Sequence, residues 1–228
     1  MCGRYTLRRL DLHALGLRAE PSLFEEFDER PRFNVAPAQR LPIVRTTGHD
    51  PELVLAVWGF IPSWAKDKPK AQPINARAET IAISGMFRQA FAKRRCLVPA
   101  DGFYEWQGTK PPKRPYFIHK RDDTPFAFAG VWERWRPSPD ADPIDTYTII
   151  TTTPNELLRP IHNRMPVILR QRDYPAWLDP KASGQSVQDL LRPSDEPLEA
   201  TAVSTRVNNV RNDGPELIEL TDKSADAG

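Results

Sequence analysis

A cysteine at position 2, directly behind Met1, places a thiol one carbon away from what becomes the α-amine once the methionine is trimmed. An initiator methionine ahead of so small a residue is commonly removed, which leaves a free 1,2-aminothiol. An α-amine has an ordinary pKa of roughly 7.7–8.0, so part of it is neutral near pH 7, where a lysine amine is almost wholly protonated. Such an amine condenses with an aldehyde to a Schiff base, and the adjacent thiol then closes on the imine carbon to give a five-membered thiazolidine. The alternative is that Cys2 is an incidental small residue at a loose end. Gly3-Arg4-Tyr5-Thr6-Leu7 argues against looseness, because its strand-like alternation ties the terminus into a sheet.

Three further residues offer complementary chemistry. Glu105 lies in Gly102-Phe103-Tyr104-Glu105-Trp106, and the flanking rings are expected to lower the local dielectric and raise its carboxyl pKa toward neutrality, where it can shuttle protons. His162, in Pro160-Ile161-His162-Asn163-Arg164-Met165-Pro166, has an ordinary pKa near about 6.5, suited to giving and taking a proton. Asn75, in Pro73-Ile74-Asn75-Ala76-Arg77-Ala78-Glu79-Thr80, supplies a donor and an acceptor without titrating; an Asx-turn after Ile74 is its other reading. Arg4, Arg77 and Arg164 each stand two residues beyond Cys2, Asn75 and His162. On strands that spacing shares a face, so the guanidinium groups are candidates for phosphate contacts; ion pairs with Glu79 or other acids are the competing account. Trp64, on a loop carrying Lys66 and Lys68, reads as a stacking platform for an exposed base.

The conjunction of MCGRY, Asn34 in RFNVAP, NARAE, GFYEW and IHNRMP, in this order over about residues 2–220, resembles the SOS-response-associated peptidase family of abasic-site processing proteins. The resemblance implies that Cys2, Asn75, Glu105 and His162 form the catalytic set: Glu105 takes the amine proton, and His162 opens the closed sugar hemiacetal. It implies a groove for single-stranded DNA lined by Arg4, Asn34, Trp64, Arg77 and Arg164, with Ser204 and Arg206 in the Ser204–Asn212 stretch. The implied activity is covalent cross-linking to an abasic site in single-stranded DNA, with removal of Met1 as the peptidase step. Replication-fork proteins are implied as possible partners, a monomer as the state and a nucleoid-associated cytoplasmic location. Members of the family can carry a second tryptophan after the one matching Trp64; this chain has Ala65, which shrinks the stacking surface. A cysteine N-terminal-nucleophile hydrolase, with Cys2, His162 and Asn75 in a thiol–imidazole–amide arrangement, is the alternative function.

The elements that must position these groups are short. Twenty-four prolines punctuate the 228 residues, which disfavours long helices. Strands are expected at Arg4–Leu7, Leu41–Thr46, Glu52–Trp58, Arg95–Val98, Phe103–Gln107, Tyr116–Lys120, Phe126–Trp132, Tyr147–Thr152, Val167–Leu169 and Ala200–Ser204. Short helices are expected at Asp11–Leu17, Ser22–Phe27, Ala78–Ile83, Met86–Lys93, Asp173–Leu178 and Val187–Leu191. Strands without regular helical crossovers predict an α+β fold, a mainly antiparallel sheet curled into a barrel-like core with short peripheral helices. One domain over residues 1–221, an exposed hairpin insertion at Arg136–Asp145 and a disordered tail at Asp222–Gly228 complete the expectation.

Composition sets the remaining bounds. Two cysteines without a CxxC, and histidines 13, 49, 119 and 162 without ligand spacing, predict neither a disulfide framework nor a metal, and no cofactor is expected. Apolar runs are too short for a membrane span or a signal segment. A net charge of +2 means that nucleic-acid binding requires a local basic groove. The bias of 23 arginines to 9 lysines fits phosphate contacts, and fits a GC-rich coding sequence equally well.

Overall fold

The computed structural model describes residues 2–17, 30–48, 50–182 and 184–221. In chain order its elements are β1 Tyr5–Leu7, β2 Arg32–Val35, β3 Arg40–Thr46, β4 Pro51–Trp58, β5 Asn75–Arg77, α1 Arg88–Lys93, β6 Arg95–Ala100, β7 Gly102–Gln107 and β8 Arg114–Lys120. They continue with β9 Phe126–Trp135, β10 Ile144–Thr152, β11 Met165–Pro166, β12 Ile168–Leu169, α2 Tyr174–Leu178, α3 Gln185–Gln188 and β13 Leu198–Ala202.

Five strands close on themselves in the order β10-β4-β3-β6-β9 and back to β10, a barrel in which only the β10–β4 contact is parallel. Closure pairs the edges that an open sheet would expose. β5 continues beside β10 in parallel where β4 ends, with Asn75 opposite Ile149 and Arg77 opposite Thr151. A second, antiparallel sheet runs β13-β8-β7-β1-β2 and brings the amino-terminal strand between β2 and β7. The α+β expectation with a curled, barrel-like core therefore holds.

Alternation along the strands builds two main cores. Tyr5, Phe103 and Ile118 of the open sheet meet Trp58, Phe128 and Tyr147 of the barrel; the Trp58 and Tyr147 rings stack at 6.4 Å, and the Tyr5 and Tyr147 hydroxyls bond at 2.9 Å. On the other side Ala76, Leu97, Val131 and Ile150 are covered by Phe91 and Trp177 of α1 and α2. Arg95 is buried here, and its guanidinium donates to the carbonyls of Phe91, Ala92, Trp177, Asp179 and Ala182, which close the ends of both helices.

Several expected boundaries change. Asp11–Leu17 makes turns instead of a helix: Asp11 Oδ1 accepts from Ala14 N, one turn closes at Leu15, and Gly16 at φ 65° ends it. Ala78–Ile83 also stops at turns, as β-branched Thr80, Ile81 and Ile83 disfavour a continuing helix. β2 and β5 were not expected from sequence; at four and three residues they show too little alternation to register. Arg136–Asp145 is the β9–β10 connection, exposed over 136–140, with its last two residues inside β10. The expected helix Ser22–Phe27 and tail Asp222–Gly228 lie outside the described residues.

Candidate active site at the amino terminus

A chain terminus that is to react must be prevented from fraying, and three sets of bonds hold this one. Asp101, fully buried at the corner between β6 and β7, accepts from Thr6 Oγ1, Arg8 N and Arg8 Nε, which pins the end of β1. The Arg4 carbonyl accepts from Tyr104 N at 3.0 Å, and Asn75 Nδ2 donates to the Cys2 carbonyl at 2.8 Å. The Arg4 guanidinium donates to Asn34 Oδ1 and the Val207 carbonyl, both at 2.8 Å, and to the Asn208 carbonyl at 3.3 Å. Cys2 is thereby buried, at 0% exposure, within the core that also holds Tyr5 and Phe103.

Glu105 comes to the same place because β7 starts at a corner only glycine fits. A Cβ on Gly102 would sit 2.2 Å from the Phe117 ring. From there alternation sends Phe103 and Glu105 toward the core around Cys2, and Tyr104 and Trp106 to the opposite face with Phe117, Val203 and Val207. The expectation that the Tyr104 and Trp106 rings raise the Glu105 pKa is thus corrected, since neighbours in a strand face away from each other. Burial in the main core does it instead, and pushes the carboxyl up to about 7, against the pull of the chain's amino-terminal charge and of Lys113. The Cys2 thiol is also pushed up, first by burial and then by the Glu105 charge, so it is held protonated.

His162 sits in the turns between β10 and β11, where its own N–H bonds the Leu158 carbonyl. Gln107, on the Glu105 face of β7, ties this segment down by donating to the Pro160 carbonyl at 2.9 Å. His162 Nδ1 accepts from Arg164 N at 3.0 Å, which assigns the proton of the neutral ring to Nε2. Nε2 lies 4.0 Å from Glu105 Oε2, too far for a direct hydrogen bond and wide enough for one substrate oxygen or nitrogen to touch both. Burial, then the amino-terminal charge, hold the imidazole below its ordinary pKa, so it is neutral at pH 7. The exchangeable proton near neutrality therefore rests on Glu105, and the sequence expectation that His162 shares this role does not follow from its environment. With a side chain 24% exposed, His162 is the open side of the site.

Asn75 is partly buried in β5, and its Oδ1 is buried with no hydrogen-bond partner among the described residues. It makes no Asx-turn. Sharing a face with a residue two positions on needs a strand, which only Asn75 and Arg77 have; residues 2–4 precede β1, and 162–164 lie in an irregular bend. Arg77 is exposed. Arg164 grips Glu79 through both terminal nitrogens, at 2.6 and 2.9 Å, and donates to the Thr151 carbonyl at 2.6 Å, so the ion-pair account is the one the geometry supports. Asn34 is likewise engaged within the protein. It is 1% exposed, Oδ1 takes Arg4, and Nδ2 donates to the carbonyls of Val207, Asn209 and Asn212, which leaves nothing for a phosphate. Ser204 caps the turn Thr205–Asn208 by accepting from Arg206 N, and Arg206 pairs with Glu216 on the surface. Trp64 is 64% exposed, on a loop anchored where Trp135 Nε1 donates to the Ala65 carbonyl. Gln107 and Asp101 escaped the sequence reading, where only Gln107, two residues beyond Glu105, carried a signal; Glu79 stood there as the ion-pair partner it proves to be. Among the described residues no group of three potential ligands is placed to hold a metal ion.

A closed five-stranded barrel with an apposed sheet presents a buried cysteine at the chain's own start, beside a carboxyl that titrates near neutrality and a neutral imidazole. This defines a barrel protein whose candidate site gathers at its amino terminus. The chain belongs to the SOS response associated peptidase (SRAP) family, whose model matches residues 1–210. It is 42% identical over 223 residues to abasic site processing protein YoqW of Bacillus subtilis, which covers 96% of this chain and 99% of that one. It is 33% identical to abasic site processing protein HMCES of Gallus gallus, over 89% of this chain and 70% of that one. A crystal structure of a Bacteroides thetaiotaomicron protein superposes with a TM-score of 0.84 at 27% identity, over 96% of this chain and all of the other.

Proposed function

We propose that this protein, once Met1 is removed, captures the aldehyde of an abasic site in single-stranded DNA on Cys2 as a thiazolidine, in the nucleoid. What carries this reading is the side-chain geometry: a buried Cys2 next to Glu105, whose carboxyl is pushed up to about 7, with His162 at 4.0 Å on the open side. Each proton then has a place to go. The Glu105 carboxylate takes a proton from the terminal ammonium, and the free amine adds to the aldehyde carbon. One amine N–H proton passes to the aldehyde oxygen to give the carbinolamine, and protonated Glu105 then gives its proton to the carbinolamine hydroxyl, which leaves as water and yields the iminium. The thiol sulfur adds to the iminium carbon while its proton passes to the Glu105 carboxylate, which closes the ring and leaves the nitrogen neutral. Because burial and the Glu105 charge keep the thiol protonated, the amine attacks first and the sulfur follows. Asn75 Oδ1, buried and unpartnered among the described residues and on a side chain that already bonds the Cys2 carbonyl, receives an N–H of the amine in this reading. As the hemiacetal opens, protonated Glu105 gives its proton to the sugar ring oxygen while the C1–oxygen bond breaks, His162 Nε2–H donates a hydrogen bond to that oxygen, and the C1 hydroxyl proton returns to the carboxylate as the aldehyde forms.

Single-stranded DNA is the substrate of choice, because a duplex would add the free energy of unstacking. The test combines intact mass with a denaturing gel after mixing with an abasic oligonucleotide. The wild type should add the mass of the oligonucleotide less one water, and Cys2→Ala should form no stable adduct. A mass-verified, uncleaved extension ahead of Cys2 should also abolish the adduct, since it turns the amine into an amide. A normal yield from either variant would rule the mechanism out, and turnover of peptide or amide substrates without an adduct would favour the hydrolase reading.

A further inference from the structure

The turn that follows β13 lies at the opposite end of the sequence from Cys2, yet its carbonyls hold the amino terminus. Val207 and Asn208 accept from the Arg4 guanidinium. Val207, Asn209 and Asn212 accept from Asn34 Nδ2, at 3.2, 3.2 and 2.8 Å, while Asn34 Oδ1 accepts from Arg4 at 2.8 Å. Asp213 completes the circuit: Oδ1 accepts the backbone N–H groups of Phe33 and Asn34, and Oδ2 accepts Arg32 Nε at 2.8 Å. Trp106 Nε1 donates to Asn208 Oδ1 at 2.7 Å, so the same turn is tied to the strand that carries Glu105.

We infer that residues 207–213 form a clasp that positions the nucleophile, with Asn34 and Asp213 as its positioning residues, acting on Cys2 through Arg4. A residue two bonds from a free chain end has few restraints of its own, and the clasp replaces them. Asn34 is suited to the role because one planar amide accepts a charged donor and donates to several carbonyls at once, while its burial keeps competing water away. This rests on the function proposed above, where a nucleophile displaced by about 1 Å can lose on the order of a hundredfold in rate. It also has a consequence that needs no DNA: with the clasp broken, the thiol of Cys2 becomes accessible.

Two measurements on Asn34→Ala and Asp213→Ala, each verified as folded by circular dichroism, test it. Single-turnover capture at saturating abasic oligonucleotide should slow by roughly tenfold or more, while affinity for an oligonucleotide carrying a tetrahydrofuran site, which has no aldehyde, stays at the wild-type value. Alkylation of the amino-terminal peptide by iodoacetamide, followed by mass spectrometry, should accelerate. Asp213→Asn keeps an acceptor for the two backbone N–H groups and should restore most of both properties. Wild-type capture with unchanged alkylation in the folded variants would overturn the clasp, as would a loss confined to affinity for the tetrahydrofuran oligonucleotide. Absence of any adduct from the wild type would defeat the proposed function alone, because the alkylation rates still decide whether the clasp shields Cys2.

Discussion

At the scale of single residues the cost of the site is concentrated in Glu105. A carboxyl pushed from 4.5 to about 7 by burial is a group whose folded state holds its proton where the unfolded state has released it. Between those two values each rise in pH therefore destabilises the fold, and above about 7 the loss is complete. At 1.36 kcal/mol per pH unit the interval corresponds to roughly 3 kcal/mol. Glu105→Gln, a neutral isostere, should accordingly raise the melting temperature at pH 8 and leave it nearly unchanged at pH 4. Thermal melts at both values check this, and equal shifts at the two would remove the burial argument. The same substitution should erase the rise in capture rate expected of the wild type as pH passes through about 7, with partial recovery at higher pH, where the amine loses its proton unaided. His162→Ala should slow capture of natural abasic DNA more than capture of an oligonucleotide bearing a permanently open aldehyde; equal losses on both would exclude a role in ring opening.

At the scale of elements, the geometry depends on corners and short strands more than on long regular runs. β7 can aim Glu105 inward because Gly102 lets the chain pass against Phe117, where a Cβ would meet the ring at 2.2 Å. Gly102→Ala should destabilise the protein by about 1–3 kcal/mol through overpacking, and should lower the capture rate beyond what the loss of folded protein explains. A denaturant midpoint equal to wild type would show that the corner tolerates a side chain. β5, at three residues, makes the pairing with β10 that sets Asn75 opposite Ile149 and under the Cys2 carbonyl.

For the molecule as a whole, a net charge of +2 leaves little general attraction for nucleic acid, so affinity must come from particular side chains. Of the three arginines with a proposed phosphate role, Arg4 and Arg164 direct their donors inward and Arg77 is exposed. Arg77→Ala should therefore flatten the dependence of log affinity on log salt by about 0.7 on single strands. Arg4→Ala should leave that slope unchanged and lower the melting temperature. A flatter slope for Arg4→Ala, with Arg77→Ala unchanged, would reverse the two assignments.

The strands of the barrel were legible in the sequence because each is a run of β-branched and aromatic residues between prolines and glycines, a local property that survives without knowledge of the fold. Cys2, Glu105, His162 and Asn75 stood out as candidates by the chemistry of their side chains, and in Cys2 by its position behind Met1, but only the resemblance of the motifs around them to a family joined them into one set. The sequence by itself determined which groups are available and how the chain divides into strands. Tertiary structure decided what each group is worth. Alternation sets Glu105 on the face opposite Tyr104 and Trp106, against the expectation that their rings surround it, and which face became the core around Cys2 follows from the pairing of β7 with β1 and β8. The protonation of Glu105 and His162 depends on burial, which is a property of everything packed around them. Whether an arginine meets DNA or a carbonyl depends on donors and acceptors that lie as far apart as Arg4 and Val207, 203 positions along the chain, and no local pattern encodes that distance.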